Sequence, residues 1–337
     1  MPVNQIAPRA LLRQAEPTDH MPDKLPPPIL AVNGVTLRYK TATSLVPATS
    51  GVSFDVHQGD RFVLLGPSGC GKSTLLKAAA GFLQPAAGSI ALSGRPIQGP
   101  GPDRMVVFQE FDQLLPWKTV IQNVAFPLIE TGKFSRSDAH DRAGVFLDKV
   151  RLTKFADVYP HMLSGGMKMR VSIARAMVTK PRVLLMDEPF GALDPIIRTK
   201  AQEDLLAIQK RFGTTIILVT HDMEEAVHMG DKIAVMDAGK LVQYARPAEI
   251  LANPASGFVE TLVGASERPF RLLSLGRVRD AVEQGAAEGE AISGDASQRD
   301  ALAELLWSGK PALPVKGADG KPLGRVTVDG LVKRAAR

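Results

Sequence analysis

Cysteine is almost absent from this chain: Cys70 stands alone among 337 residues. No disulfide can therefore close within it, and such sparing use suits a reducing compartment. Long apolar runs are missing too. The uninterrupted ones are short, such as Phe62–Leu65, far below the roughly 18 to 20 residues of a membrane-crossing helix. Any work at a membrane would need other subunits to span it. Charge of one sign is in only mild excess, 41 basic against 35 acidic side chains for a net +6. No basic block accompanies it, so nucleic acid is not an expected partner. Met1–Pro28 is proline-rich and lacks the apolar centre of a secretory signal, which predicts a disordered tail. There is no tandem repeat. What remains, 45% hydrophobic and 23% charged, suits one large globular domain with an accessory one.

Three compact apolar runs, Arg61–Leu65, Arg182–Met186 and Thr215–Val219, have the composition of strands buried on both faces in a mainly parallel sheet. Ligands in open α/β sheets bind beyond the carboxyl ends of the strands. Those ends carry Gly66 to Thr74, Asp187 with Glu188, and His221. Between the first two runs, residues 111–179 hold helical patches at Asp138–Val150 and Gly166–Met177, which predict an inserted helical subdomain. The texture changes near Gly264–Pro269 and predicts a domain boundary, with 29–265 as the main domain and 266–337 as a small α/β module.

The run Gly66, Pro67, Ser68, Gly69, Cys70, Gly71, Lys72, Ser73, Thr74 fits G-x-x-x-x-G-K-[ST] between a buried strand and a helical pattern holding Leu75, Leu76, Ala79 and Phe82. Glycines let backbone N–H groups curl around phosphates, and the helix start adds partial positive charge. Lys72 neutralises β/γ oxygens, and the Ser73 hydroxyl can ligate magnesium. Cys70 serves there as a small side chain. Asp187 ends an apolar strand and can hold magnesium through water, while Glu188 beside it can polarise the water that attacks a γ-phosphate. ATP and Mg2+ are therefore the expected cofactors. Ser164, Gly165 and Gly166 precede a helix and put a hydroxyl and free N–H groups at its positive end, a second anion-binding surface.

Leu163-Ser-Gly-Gly-Met167 ahead of Asp187 resembles the signature of ABC transporter ATPases, and the resemblance covers Ile29 to Ala265. Other family elements follow in order: Tyr39 before the phosphate loop, Gln109 in Val-Phe-Gln-Glu, Asp194 in Ala-Leu-Asp and His221 in Thr-His-Asp. The resemblance implies that Tyr39 stacks on adenine and that Gln109 links the nucleotide and its magnesium to the membrane subunits. It implies that His221 holds the γ-phosphate and attacking water, and that Asp194 helps join two subunits. The Ser164 surface would close over ATP held by the partner, giving a homodimer with two shared sites beneath two permease subunits. An extracytoplasmic binding protein would supply the solute, with the ATPase peripheral on the cytoplasmic face. Met167 and Met169 depart from the family, which favours glutamine and a polar residue there, so an amide contact is lost.

The stretch Phe108–Val124, particularly Leu115-Pro-Trp117, is similar to importer subunits for nitrate, sulfonates and taurine. Trp117 and Leu114 suit a groove for a permease helix, or Trp117 packs within the helical subdomain. Ala301–Ala336, through Leu313-Pro-Val315, Asp319-Gly320 and Leu323–Thr327, resembles one cystathionine-β-synthase-type repeat of the kind attached to osmoprotectant importers. An osmoprotectant importer is thus the alternative, and a soluble ABC ATPase a further one.

Overall fold

A computed structural model describes residues 26–40, 45–108 and 113–335. Gln109 and the tail before residue 26 lie outside the described residues. The chain opens with β1 (Leu30–Lys40) and β2 (Leu45–Val56), an antiparallel pair. Next come β3 (Arg61–Leu65), α1 (Lys72–Ala80), β4 (Ala87–Leu92), β5 (Arg95–Pro96) and β6 (Arg104–Val107). A helical insertion follows, α2 (Val120–Glu130), α3 (Arg136–Lys149) and α4 (Gly165–Met177). The chain then returns to the sheet with β7 (Val183–Asp187), α5 (Pro195–Phe212), β8 (Thr215–Thr220), α6 (Met223–Met229), β9 (Lys232–Asp237) and β10 (Lys240–Ala245).

Two sheets result. One has order β2-β1-β4-β5; the other, order β10-β9-β3-β8-β7-β6, is parallel except for β10. The period of two along each central strand separates two cores. Phe62, Leu64, Val183, Leu185, Ile217 and Val219 face α1 and the first sheet. Val63, Leu65, Leu184, Met186, Ile216 and Leu218 face the helices on the other side. Strands apolar on both faces are what a covered parallel sheet demands, and each such side chain stabilises the fold by about 1.5 to 3 kcal/mol.

The insertion is fixed by polar detail. Thr119 and Gln122 form a reciprocal capping box that starts α2. Buried Asn123 accepts from Leu115 N at 2.8 Å and donates to Leu115 O at 3.0 Å, tying down the preceding loop. That loop presents Trp117, which is 70% exposed, whereas Leu114 is buried in the core. Leu114 is therefore not part of any exposed groove, and Trp117 does not pack the subdomain.

Beyond β10 come α7 (Pro247–Ala252), α8 (Gly257–Val263) and α9 (Arg268–Leu275). The last part is β11 (Ile292–Ser293), α10 (Gln298–Ser308), β12 (Ala312–Lys316), β13 (Pro322–Thr327) and α11 (Val328–Ala335), a small α/β module with sheet order β11-β12-β13. Its core gathers Val278, Leu302, Leu305, Leu313, Val315, Val326 and Leu331. Helix α9 is shared: Leu272 packs on the main core and Leu273 joins the module's. An ion pair adds to this seam, Arg299 of α10 donating to Glu224 of α6 at 2.8 Å. Among the described residues, no helix is long and apolar enough to cross a membrane.

Candidate active site

The loop after β3 is shaped by close backbone approaches. A Cβ on Gly71 would sit 2.3 Å from Ala48 O in β2, and Gly71 has φ 102°. A Cβ on Gly66 would sit 2.2 Å from Met236 O in β9. The turn after β9 clamps the loop, since Gly239 N donates to Cys70 O at 3.2 Å and Ser50 N donates to Gly239 O at 2.8 Å. Cys70 is buried in that crowd. Burial pushes its thiol up despite nearby Lys72, so it is a space-filling group rather than a nucleophile.

Lys72 opens α1 and is buried, its Nζ donating to Gly66 O at 2.8 Å and Pro67 O at 2.9 Å. The ammonium thus spans the mouth of its own loop, held by two of the loop's carbonyls. Next to it, Ser73 Oγ donates to Asp187 Oδ1 at 2.7 Å. Burial raises the Asp187 carboxyl, the Ser73 bond opposing and the Glu188 charge adding to it. A hydroxyl and a carboxylate are hard oxygen donors, and a partly desolvated carboxylate gains from a divalent cation. The pair fits Mg2+. No group of three or more His, Cys, Asp or Glu that could hold a metal occurs among the described residues.

Glu188 lies one residue beyond β7 at φ 42°, a left-handed value that costs a non-glycine residue about 1 kcal/mol. Its N–H donates to Val219 O of β8 at 3.0 Å, and its carbonyl accepts from Gly191 N at 3.1 Å. This forced turn aims the side chain sideways along the sheet edge. Glu188 Oε2 meets His221 Nδ1 at 3.1 Å. Strands β3, β8 and β7 are neighbours, so Lys72, Ser73, Asp187, Glu188 and His221 collect on one edge although they are far apart in sequence.

The other sequence-selected residues are fixed by local contacts of their own. Ser164 caps α4, its Oγ accepting from Met167 N at 3.4 Å; a Cβ on Gly166 would meet Ile197 of α5 at 2.8 Å. Met169 is buried, and Met167 packs against the same core. Asp194 caps α5, accepting from Ile197 N at 3.0 Å. Tyr39 lies near the end of β1, 52% exposed and paired with Val46.

Sequence reasoning missed Thr220 and Glu225. Thr220 Oγ1 donates to Glu225 Oε2 at 2.6 Å and accepts from Asp222 N at 3.0 Å. Burial raises the Glu225 carboxyl to about 7. The one sequence signal was a glutamate on the buried face of α6, among Met223, Ala226 and Val227, obscured by Glu224 beside it.

A strand, a glycine-lined loop whose lysine caps its mouth, and an acidic neighbouring strand end define a P-loop protein of the nucleoside-triphosphate-binding class. The ABC transporter family profile matches residues 49–191. The spermidine/putrescine import ATP-binding protein PotA of Frankia alni is 44% identical over 243 residues, which are 71% of this chain and 52% of that protein. The nitrate transport protein NasD of Klebsiella oxytoca is 43% identical over 214 residues, 63% of this chain and 81% of that one. The dimeric post-hydrolysis structure of the ATP-binding cassette MJ0796, bound to ADP and Pi, superposes with TM-score 0.58 at 30% identity, covering 65% of this chain and 98% of that one. The chain belongs to the family of ABC transporter ATP-binding proteins.

Proposed function

We propose that this chain is the ATP-hydrolysing subunit of an ABC importer, working as a homodimer beneath two permease subunits on the cytoplasmic face of the membrane. The observation that carries the reading is the edge formed by Lys72, Ser73, Asp187, Glu188 and His221, with Glu188 and His221 3.1 Å apart. In this reading Lys72 exchanges its loop carbonyls for phosphate oxygens when ATP enters. The loop N–H groups and the start of α1 bind the remaining phosphate charge. Ser73 and Asp187, hydrogen-bonded to one another, would hold Mg2+, which would supply positive charge to offset that of the phosphates. Glu188 accepts a proton from the attacking water, and His221 orients that carboxylate and the γ-phosphate. Ser164 and the N–H groups at the start of α4 close over the partner's nucleotide, Asp194 supports the subunit contact, Tyr39 stacks on adenine, and Gln109 links the site to the permease.

The solute reading is a small polar or anionic species of the nitrate, sulfonate or taurine type, delivered by an extracytoplasmic binding protein. Leu115-Pro-Trp117 and the nitrate transport relative support it. The spermidine/putrescine relatives favour polyamines as the second reading. The C-terminal module acts as a regulatory unit built like one cystathionine-β-synthase-type repeat. Glu188→Gln tests the chemistry: ATP binding should persist, phosphate release should cease, and ATP should trap a dimer visible by size-exclusion chromatography. Wild-type turnover in that variant removes Glu188 from its role. Competition between nitrate, taurine and spermidine for uptake by the reconstituted complex decides the solute.

A further inference from the structure

His221 is more than half exposed and reaches Glu188 from a turn, not from within a strand or helix. Such a side chain keeps its aim only if its backbone is held. The turn spans the end of β8 and the start of α6, and two of its internal bonds meet at Thr220 Oγ1. That oxygen accepts from Asp222 N at 3.0 Å and donates to Glu225 Oε2 at 2.6 Å. Thr220 and Glu225 are both buried, and the second carboxyl oxygen, Oε1, is buried with no hydrogen-bond partner among the described residues. The buried carboxyl thus makes a single hydrogen bond, with the charges of Asp222, Arg198 and His221 nearby, a costly arrangement for stability alone. The Asp222 side chain braces the same helix start by accepting from Glu224 N at 2.8 Å and Glu225 N at 3.1 Å. Two residues before Glu225 and one residue after it, Met223 and Ala226 are buried apolar groups, so packing alone would favour an apolar side chain at 225.

We propose that Glu225 is a positioning residue for His221, acting through the Thr220 hydroxyl to hold the turn that aims the imidazole at Glu188. The inference rests on the reading that His221 belongs to the hydrolytic centre. A hydroxyl that must accept from the Asp222 amide has only its proton left to give, and the Glu225 oxygen fixes where that proton points. Without it the hydroxyl rotates, the amide contact weakens, and the imidazole samples other directions over the exposed surface. Glu225 touches no reacting group, so the loss falls on the chemical step rather than on nucleotide binding.

The test uses the full chain and two readouts, steady-state phosphate release and the imidazole NMR signals of His221, assigned by their disappearance in His221→Gln. Glu225→Ala should lower kcat about 10- to 100-fold, the range set by a displacement of about 1 Å near the chemistry. KM for ATP should stay within about twofold, and the His221 signals should shift or broaden. Glu225→Gln, whose amide oxygen can accept the Thr220 hydroxyl, should recover most of the lost turnover and restore the signals. Thr220→Val should repeat the loss and Thr220→Ser should not, which decides the matter if Glu225→Ala fails to fold. Wild-type kcat in Glu225→Ala or Thr220→Val, a Gln variant no better than Ala, or unmoved His221 signals would each overturn the proposal. If the wild-type chain releases no phosphate, the functional reading fails, and the His221 signals in the same variants still decide the positioning role.

Discussion

Glu225 also makes a thermodynamic prediction, with its sign fixed by burial. Desolvation raises its carboxyl from 4.5 to about 7; the Thr220 bond opposes this, the Asp222 charge adds to it, and Arg198 of α5 and His221 oppose it. The folded chain therefore holds this proton more tightly than the unfolded chain. Its stabilising contribution is fully present below about pH 4.5 and is lost as the pH rises through about 7. At roughly 1.4 kcal/mol per pH unit, the interval corresponds to about 3 kcal/mol. Glu225→Gln keeps the acceptor for Thr220 and cannot ionise, so it should lack this loss. Urea unfolding of both proteins from about pH 4.5 to about pH 8.5 gives the two stability curves. Their difference should move in favour of the variant by about 3 kcal/mol across that range. Other titrating groups cancel in the difference, apart from those next to Glu225. Parallel curves, or a gap that widens towards acid, would refute the argument.

Three further outcomes are expected. Ser164→Arg should abolish hydrolysis in the homodimer while leaving ATP binding by one subunit intact, and mixing it with Lys72→Ala subunits should restore part of the activity; full activity of the homodimer would sink the assignment to the partner's nucleotide. Gly71→Ala should lose ATP binding in a fluorescent-nucleotide titration, because its Cβ falls 2.3 Å from Ala48 O at φ 102°; wild-type affinity would contradict the tight loop. Truncation before Arg268 should keep basal phosphate release but lower Tm, since it strips Leu272 from the main core and removes the bonds of Arg268 to Ala252 O and Arg271 to Val263 O. Leu272 is partly buried, so it contributes less than the roughly 1.5 to 3 kcal/mol of a fully buried leucine, whereas truncation after Gly276 should spare it; loss of hydrolysis in either folded product would end the division of labour between the two parts.

The central strands were readable because burial on both faces leaves no polar position in Phe62–Leu65 or Ile216–Val219, and such runs have few other folds open to them. The glycine loop was readable because its spacing encodes close approaches that no other residue tolerates, as at Gly71. The strand ends carrying Asp187, Glu188 and His221 were legible for the same reason: polarity begins abruptly where the sheet stops. Contacts that depend on one side chain's direction were not. Leu114 and Trp117 look interchangeable as apolar anchors, yet Asn123 pins the loop so that one is buried and the other exposed. Nor does a sequence distinguish Glu224, which reaches out to Arg299, from Glu225, which turns inward to Thr220. The sharing of α9 between two cores was equally hidden, because Leu272 and Leu273 differ only in which side of one helix they occupy.

The sheet order has a consequence for biosynthesis. Among the described residues, the strand that leads into the phosphate loop, β3, pairs with β8 and β9 alone. Both partners lie beyond residue 214, about 150 residues downstream, so a growing chain carries β3 with both edges bare while those residues are added. The loop that reads as the most self-contained motif in the sequence is thus among the last parts of the domain to gain a settled shape. A ribosome stalled before β9 emerges would hold a chain that has every residue of the glycine loop and no cradle. Nucleotide capture by nascent chains of increasing length should therefore switch on abruptly once β9 and the turn at Gly239 have left the exit tunnel, making ATP a ligand that certifies a finished domain.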